Sequence, residues 1–269
     1  MVSDAKDAAL VTFDDGDHVA VLTLKSSSSR NALSLTMLEA LSRQFAVISR
    51  RDDIRVVVLQ AEGLAFCAGH DLKELTAHRA DSDGGRAFFE KTMRACSNLM
   101  QQIVSLPQPV IATVEGVATA AGCQLVAACD LAIAGASARF ALPGVSIGLF
   151  CSTPLVAVGR AVSRKHAMEM ALTGDFYDAR TAERFGLVNR VVPAGAALAE
   201  ARALARRIAA RSATTLAIGK RTFYRQIDMP LGEAYALAAR AMVENLLHPD
   251  SAEGAAAFLE KRAPRWEGA

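Results

Sequence analysis

Two short segments of the chain each combine a turn of small residues with the start of a helix. In the first, FCAGHDLKEL (66–75), a glycine turn precedes Asp71, whose side chain could cap the helix that follows. The second, ATAAGCQL (118–125), has the same form, with a helix opening near Ala121 or Gly122. The first N–H groups of a helix have no partner within it, so two such ends aimed at one point could bind an oxyanion. Two ordinary turns remain the alternative at this stage.

Patterns for other nucleophile, metal and nucleotide sites are poorly matched. GVSIG (144–148) fits the G-x-S-x-G nucleophile elbow, but Pro143 precedes it and LFCSTP follows it in place of a helix. Asp175 and His248 could complete a triad, although the oxyanion loop of a serine hydrolase is missing upstream. A thiol nucleophile at Cys151 competes with a buried cysteine at a bend. The histidines lack metal-ligand spacing and the phosphate-binding glycine motifs are absent, so no zinc site or nucleotide chemistry is predicted.

Length and composition are typical of a well-packed globular protein. The chain has 269 residues, of which 52% are hydrophobic and 22% are charged, with a formal net charge of +2. This balance gives no reason to expect nucleic acid as a partner, and no apolar run reaches the roughly 18 residues that span a membrane. The acidic N-terminus resembles neither a secretory signal nor a transit peptide, which favours a cytoplasmic location. The five cysteines include no C-x-x-C pair and are expected to be reduced thiols.

Segments typical of strands and of helices alternate over the first two thirds of the chain. The clearest predicted strands are HVAVLTL, IRVVVLQ, VIATVEG and DLAIAG. Alternation of this kind predicts an α/β core with a largely parallel sheet. The later part of the chain shows helical spacing alone. We therefore expect an N-terminal tail over 1–11, a core over 12–194 and a helical region over 195–269.

Five longer segments resemble the enoyl-CoA hydratase/isomerase family, also called the crotonase family. They are SRNALSLTMLEAL, RVVVLQAEGLAFCAGHDLKEL, PVIATVEGVATAAGCQLVAACDLAIAGASARFALPGVSIGL, LTGDFYDARTAERFGLVNRVVP and AFLEKRAPRW, in this order between about residues 12 and 266. The resemblance implies a spiral of ββα units, followed by C-terminal helices that build a homotrimer, often paired into a homohexamer. It also implies an acyl-CoA or enoyl-CoA thioester as ligand, with no metal and no cofactor beyond the CoA of the substrate.

The resemblance assigns thioester binding to residues of both turns. The backbone N–H groups of His70 and Ala121 would form the oxyanion hole, and Ala121 stands where the family commonly has glycine. An N–H group survives that change if the backbone φ of Ala121 is negative. Further positions would contact the substrate or its CoA, the second to fourth of them beside the pantetheine and the last two beside a CoA on this or a neighbouring subunit. They are Ala68, Asp71, Leu72, Lys73, Phe258 and Lys261.

Two more positions carry the proton chemistry of hydratases in this family, and this chain has a carboxylate at neither. The hydratases have glutamates at the positions of Gln124 and Gly144, where the pair holds one water and shuttles its protons. An amide can orient water but cannot accept and return a proton at neutral pH, and glycine has no side chain. The resemblance and this loss together predict an acyl-CoA-handling protein of lipid metabolism that is not an efficient hydratase.

Three functions stay open on the sequence alone. The oxyanion hole could support a reaction through an enolate, such as decarboxylation of a malonyl-type thioester or isomerisation. Gln124, with Ser152 or Cys151 as a polar neighbour, would then assist any proton transfer. The second function is a catalytically silent acyl-CoA-binding oligomer. The third is a weak enoyl-CoA hydratase, a lyase, that recruits another side chain.

Overall fold

A six-stranded sheet forms the centre of the computed structural model, which describes residues 10–267. Its strands, in spatial order, are β1 (Val11–Gly16), β2 (Val19–Leu24), β3 (Val56–Ala61), β5 (Val110–Val114), β7 (Leu131–Gly135) and β10 (Arg190–Val192). The β1–β2 hairpin is antiparallel, and the later neighbours in the sheet are parallel. Strands β2 and β5 are buried along their whole length, as expected of a sheet covered on both faces.

A second sheet is built from the strands that follow those of the first. Its members, in spatial order, are β4 (Ala65–Cys67), β6 (Val117–Thr119), β8 (Arg139–Ala141) and β9 (Tyr177–Asp178). Successive strands therefore alternate between the sheets, so that β3 leads to β4, β5 to β6 and β7 to β8. The helices that connect these pairs are α1 (Leu35–Ile48), α2 (Leu72–Ala77), α3 (Arg86–Ser105) and α4 (Ala121–Ala128). This connectivity confirms the expected spiral of ββα units.

The predicted strand VIATVEG corresponds to β5, and the chain changes sheet directly after it. Strand β5 ends at Val114 and β6 begins at Val117. Between them Gly116 has a φ of +73°, and a Cβ on it would lie 2.1 Å from the carbonyl oxygen of Leu64. Glycine is required at this crossing because two backbone segments pass too closely for a side chain.

The second half of the chain is mainly helical, as the sequence predicts. Its helices are α5 (Ser152–Ala161), α6 (Arg164–Thr173), α7 (Ala179–Phe185), α8 (Ala197–Ala209), α9 (Ala213–Gln226), α10 (Leu231–Leu246) and α11 (Pro249–Leu259). The division of the chain at 194/195 stays a prediction, and residues 1–9 of the expected tail lie outside the described residues.

Helix α8 covers one face of the six-stranded sheet through four alanines. Ala197, Ala201, Ala205 and Ala209 pack against valine and isoleucine side chains of β2, β3, β5 and β7. Their spacing of four places them on one stripe of the helix, and their small size lets the helix approach the sheet closely. Helix α8 is therefore part of the core packing, although it lies C-terminal to residue 194.

A buried ion pair fastens α9 to the core. The ammonium of Lys220 donates to the Asp130 carboxylate at 2.7 Å. It also donates to the carbonyl oxygens of Ile103 and Gln108, both at 3.0 Å. The side chains of Lys220 and Asp130 are only 6% and 15% exposed. Burial lowers the pKa of Lys220, and the neighbouring Asp130 opposes that shift, so the pair is stable only as long as both partners are present.

Replacing Lys220 with methionine should reduce the free energy of unfolding by about 3 kcal/mol, because Asp130 would keep a buried charge without its cation. Urea denaturation at a fixed protein concentration measures the change. The control is Arg221→Met on the same helix, which removes an ion pair with Glu244 whose side chains are 53% and 54% exposed. That loss should cost less than about 1 kcal/mol. Equal costs for the two variants would show that the buried pair does not anchor α9.

Candidate active site

The first of the two turns joins β4 to α2 and contains His70. Gly69 lies in it with a φ of +90°, and its carbonyl oxygen accepts a hydrogen bond from the N–H of Leu33 at 2.7 Å. The carboxylate of Asp71 accepts from two N–H groups of α2, at 2.9 and 3.2 Å, which confirms its predicted role as a helix cap. The backbone on both sides of His70 is thus held by hydrogen bonds.

The second turn joins β6 to α4, and it packs directly against the end of β4. A Cβ on Gly122 would lie 2.2 Å from the carbonyl oxygen of Cys67, so only glycine allows this approach. Ala120 has a φ of +49° and a ψ of −116°, a conformation that residues with a side chain rarely adopt. Ala121 is not among the described residues of positive φ. The condition stated for Ala121 is therefore met, because its φ is not positive and its N–H group survives the change from glycine.

The two turns abut, and each brings one unpaired N–H group. A Cβ on Gly69 would lie 3.1 Å from the Cβ of Ala120 and 3.5 Å from the nitrogen of Ala121. Within residues 10–267, neither the N–H of His70 nor that of Ala121 donates a hydrogen bond to a protein acceptor. Two backbone donors on touching turns are therefore left for an acceptor that does not belong to this part of the chain.

The imidazole of His70 is neutral at neutral pH. Its Nδ1 lies 3.4 Å from the carbonyl oxygen of Leu33, and its Nε2 is buried without a partner among the described residues. Burial lowers the pKa of His70, and the Leu33 carbonyl only partly offsets the shift. An anion at this site would consequently meet the main-chain N–H of His70 and not an imidazolium charge.

Asn31 positions the first turn, and the sequence analysis missed it. The residue is fully buried and has a φ of +54°, which asparagine tolerates better than most side chains. Its Oδ1 accepts from the N–H of Ser26 at 2.8 Å, and its Nδ2 donates to the carbonyl oxygens of Glu62 (2.9 Å) and Ala65 (2.8 Å). It thus joins the loop after β2 to the start of β4. The available signal was an asparagine three residues before the helix cap Ser34 in a short polar loop.

Gln124 lies one turn into α4 and is only 3% exposed. Its Oε1 faces the Sγ of Cys96 on α3 at 3.8 Å. Burial raises the pKa of Cys96 to about 12, so the thiol is protonated and is the donor in this contact. The amide of Gln124 is therefore oriented, with its oxygen turned toward α3.

Gln124 also lines a cavity of about 640 Å³ between α3, α4, α5 and α9. Apolar side chains, among them Met100, Val104 and Val156, form much of the wall. Arg160 and Asp228 mark its solvent end, since they form an ion pair at 3.4 Å with side chains 62% and 68% exposed. A largely apolar cavity of this size beside a few polar groups is typical of a small-ligand site.

The position of Gly144 has no room for a side chain. A Cβ there would lie 2.6 Å from the carbonyl oxygen of Leu149 and 2.9 Å from the Sγ of Cys151. Burial raises the pKa of Cys151, so this thiol is not an anion at neutral pH and is a poor nucleophile. The chain therefore has no carboxylate at position 144. The Leu149 carbonyl and the Cys151 thiol occupy the space that such a side chain would need.

GVSIG does not form a nucleophile elbow. Its first residues belong to a 3-10 turn, Pro143–Ile147, and α5 begins only at Ser152. The nearest preceding strand, β8, ends at Ala141. The strand-to-helix turn that exposes a catalytic serine is absent here, which agrees with the prediction against a serine hydrolase.

The residues predicted to follow a CoA fall into two groups. Ala68, Asp71, Leu72 and Lys73 lie on the first turn and the start of α2, and Leu72 and Lys73 are exposed. Phe258 and Lys261 lie at the end of α11, which packs on α9 and α10, and Phe258 is 83% exposed. CoA contacts of both groups stay predictions.

No metal centre and no membrane span are found in the described part of the chain. Over residues 10–267, no three His, Cys, Asp or Glu side chains are grouped so that they could hold a metal ion. No helix in the same range is long and apolar enough to cross a bilayer.

Comparison with known proteins identifies the family. The profile of the family described as enoyl-CoA hydratase/isomerase matches residues 14–269. The chain is 46% identical over 250 residues to a rat protein named enoyl-CoA hydratase domain-containing protein 3, mitochondrial, and the match covers 93% of this chain and 82% of the relative. This chain belongs to the enoyl-CoA hydratase/isomerase family, as its motifs predict.

Solved structures agree with this assignment. The crystal structure of an enoyl-CoA hydratase from Mycobacterium smegmatis has a TM-score of 0.90 at 48% identity, covering 96% of this chain and 98% of that one. That of human enoyl Coenzyme A hydratase domain-containing protein 3 has a TM-score of 0.91 at 44% identity, covering 96% and 100%. The segments GHDLKELT and GKRTFYRQ predict similarity to this subgroup, and the comparison confirms it along with the crotonase-like fold.

The cytoplasmic location expected from the sequence is wrong on this comparison. The rat, mouse and human relatives at 46% identity are all named as mitochondrial proteins. The expectation depended on the first residues of the chain, whereas targeting is carried by segments that are separate from the fold.

Ala120→Gly should raise the free energy of unfolding by about 1 kcal/mol, because glycine adopts the observed φ and ψ without the strain of a Cβ. Urea denaturation at a fixed protein concentration measures the gain. The matched control is Ala127→Gly within α4, a half-buried position with ordinary helical geometry, which should lose about 1 kcal/mol. A loss of stability at both positions would show that the turn before α4 is not strained.

Proposed function

We propose that this protein binds an acyl-CoA thioester and polarises its carbonyl oxygen between the N–H groups of His70 and Ala121. The observation that carries the proposal is the contact of the two turns, each of which has one N–H group without a protein acceptor within residues 10–267. Backbone donors fixed in this way stabilise the negative charge that develops on a carbonyl oxygen. The cavity beyond Gln124 would receive the acyl part, Ala68 would contact the substrate, and Asp71, Leu72 and Lys73 would flank the pantetheine.

The reaction that fits these residues passes through an enolate and does not add water efficiently. Hydration needs groups that give and take protons near neutral pH, and each such group contributes about 10²–10⁴-fold. Gln124 is an amide, Gly144 has no side chain, and the Cys151 thiol beside it stays protonated. These features support a loss of hydratase chemistry with the thioester site retained.

Decarboxylation of a malonyl-type thioester places the smallest demand on such a site. The bond between the second carbon and the carboxylate breaks, CO₂ leaves, and the electron pair passes into the enolate held by the two N–H groups. Water then supplies the proton to the second carbon. No base is needed to form the enolate, whereas isomerisation would need one, so decarboxylation is the form of the proposal that the side chains of this chain support best.

Malonyl-CoA incubated with the protein in heavy water should give deuterium-labelled acetyl-CoA, followed by mass spectrometry. The donor is removed by Ala121→Pro, since proline is tolerated at the first residue of a helix and has no N–H. This change is made in the Ala120→Gly background, which serves as its control because glycine before the proline avoids a Cβ clash. Turnover by the double variant should fall at least about 100-fold below that of Ala120→Gly alone.

Two results would contradict this form of the proposal. Hydration of crotonyl-CoA at ordinary enzyme rates would mean that another side chain holds and activates the water. Binding of malonyl-, butyryl- and crotonyl-CoA without change to any of them would favour the silent acyl-CoA-binding oligomer, for which the filled space at Gly144 is the supporting observation.

Self-association is also part of the proposal. Helices α9 and α10 border a groove of about 550 Å³, and large apolar side chains are exposed along them. These are Phe223, Leu231, Tyr235, Met242 and Leu246, each at least half exposed. A surface of this kind on a soluble protein usually contacts another protein, and a second copy of the chain agrees with the homotrimer or homohexamer expected from the family.

Light scattering should therefore give a mass that is a multiple of three chains. Tyr235→Glu should lower that mass, because a charge would lie in the apolar contact. Glu233→Gln on the same helix is the control and should leave the mass unchanged. A single-chain mass for the unmodified protein would exclude the oligomer.

A further inference from the structure

The amide nitrogen of Gln124 is a hydrogen-bond donor at the inner end of the cavity. The contact of Cys96 Sγ with Gln124 Oε1 turns the oxygen of the amide toward α3. Within residues 10–267, this contact is the only hydrogen bond of the Gln124 side chain, and the side chain lines the cavity. Its two N–H hydrogens are therefore left for a ligand in the cavity.

The distance along α4 relates this donor to the thioester. Ala121 and Gln124 are three residues apart, which is about 4.5 Å along a helix, and side chains at this spacing share a face. A thioester oxygen bound at the N–H of Ala121 would place the third acyl carbon, or a substituent on it, close to the Gln124 side chain. This step rests on the proposed function, because it needs the thioester oxygen at that N–H group.

The uncharged groups around the Gln124 amide favour a ligand oxygen that accepts a hydrogen bond. Gln124 is uncharged, and the space at Gly144 is occupied by the Leu149 carbonyl and the Cys151 thiol. The carboxylate of Asp228 lies at the solvent end of the cavity, paired with Arg160. A ketone or carboxylate oxygen on the third acyl carbon would meet the N–H of an amide here, whereas an ionised glutamate at the same position has no hydrogen to donate and would repel such an oxygen.

We infer that this site selects acyl thioesters with a hydrogen-bond-acceptor oxygen on the third carbon, and that Nε2 of Gln124 is the donor that recognises it. The substrate class is therefore the 3-oxoacyl and malonyl-type thioesters, and saturated or simple enoyl chains are excluded as preferred ligands. Gln124 acts in this role as a specificity-determining residue.

Calorimetric titration with acetoacetyl-CoA and butyryl-CoA tests the inference, because both have four acyl carbons and only the first has the oxygen. Acetoacetyl-CoA should bind about tenfold more tightly. Gln124→Leu should abolish this preference and keep the affinity for butyryl-CoA. Gln124→Glu, nearly identical in shape, should reverse the preference, because the carboxylate repels the oxygen.

Gln101→Leu is the matched control. Gln101 lines the same cavity, but its Nε2 already donates to the carbonyl oxygen of Ser97 at 3.1 Å. This variant should keep the preference for acetoacetyl-CoA. Malonyl-CoA, added as a competitor of bound butyryl-CoA, separates an anionic oxygen from a ketone, and it should lose the most affinity in Gln124→Glu.

The outcomes separate this inference from the proposed function. Equal binding of acetoacetyl-CoA and butyryl-CoA, or a preference that survives Gln124→Leu, would overturn the inference and leave acyl-CoA binding intact. Failure of every CoA thioester to bind would overturn the proposed function, and the inference with it. A preference that depends on Gln124 and not on Gln101 would support both.

Discussion

The close packing of α4 against the end of β4 is the constraint on which the candidate site depends. Gly122 meets the Cys67 carbonyl so closely that any side chain would collide with it. Below the same turn, the Sγ of Cys123 lies 3.0 Å from the carbonyl oxygen of Ala118 and 3.4 Å from that of Ala141, and these two oxygens share its single S–H donor. Both cysteines are fully buried, and burial raises the pKa of each thiol to about 12. The first turn of α4 therefore belongs to the core, and its N–H groups cannot drift from the neighbouring turn.

The strain at Ala120 follows from this packing. The chain must leave β6 and enter α4 within two residues while Gly69 of the other turn touches it, which forces a conformation that suits glycine. Asn31 supports the other turn by tying the loop after β2 to the start of β4. The two N–H groups are thus positioned by backbone contacts and by one buried asparagine, which makes them tolerant of changes in the surrounding side chains.

The N–H donors and the proton-transfer groups belong to different parts of the molecule. This separation explains how the chain can keep the family's scaffold without the hydratase carboxylates. The N–H donors depend on the core, whereas the proton-transfer groups are single side chains on the wall of the cavity. Gln124 and the filled space at Gly144 change that wall and leave the turns intact. The proposed preference for an oxygen on the third acyl carbon would be a consequence of replacing an acid by an amide donor on an unchanged frame.

The sequence was sufficient for the order of strands and helices, because periodicity and caps are local. Ser34 and Asp71 cap their helices as predicted, and the four buried strand segments that were expected all contribute to the six-stranded sheet. The change of sheet after VIATVEG was not predicted, because it depends on the contact of Gly116 with Leu64, which lies far away along the chain. Residue spacing alone did not decide whether the two turns lie next to each other, and only the resemblance to the family favoured that arrangement.

The sequence by itself therefore determined the elements, the family and the absence of carboxylates at Gln124 and Gly144, since residue identity and local spacing decide these. The tertiary structure alone decided the contact of the two turns, the orientation of the Gln124 amide by Cys96, and the occupation of the space at Gly144 by Cys151. It also decided the burial of Lys220 against Asp130. Each of these is an interaction between segments distant in sequence or a matter of which atoms fill a given space, and such facts depend on packing in three dimensions.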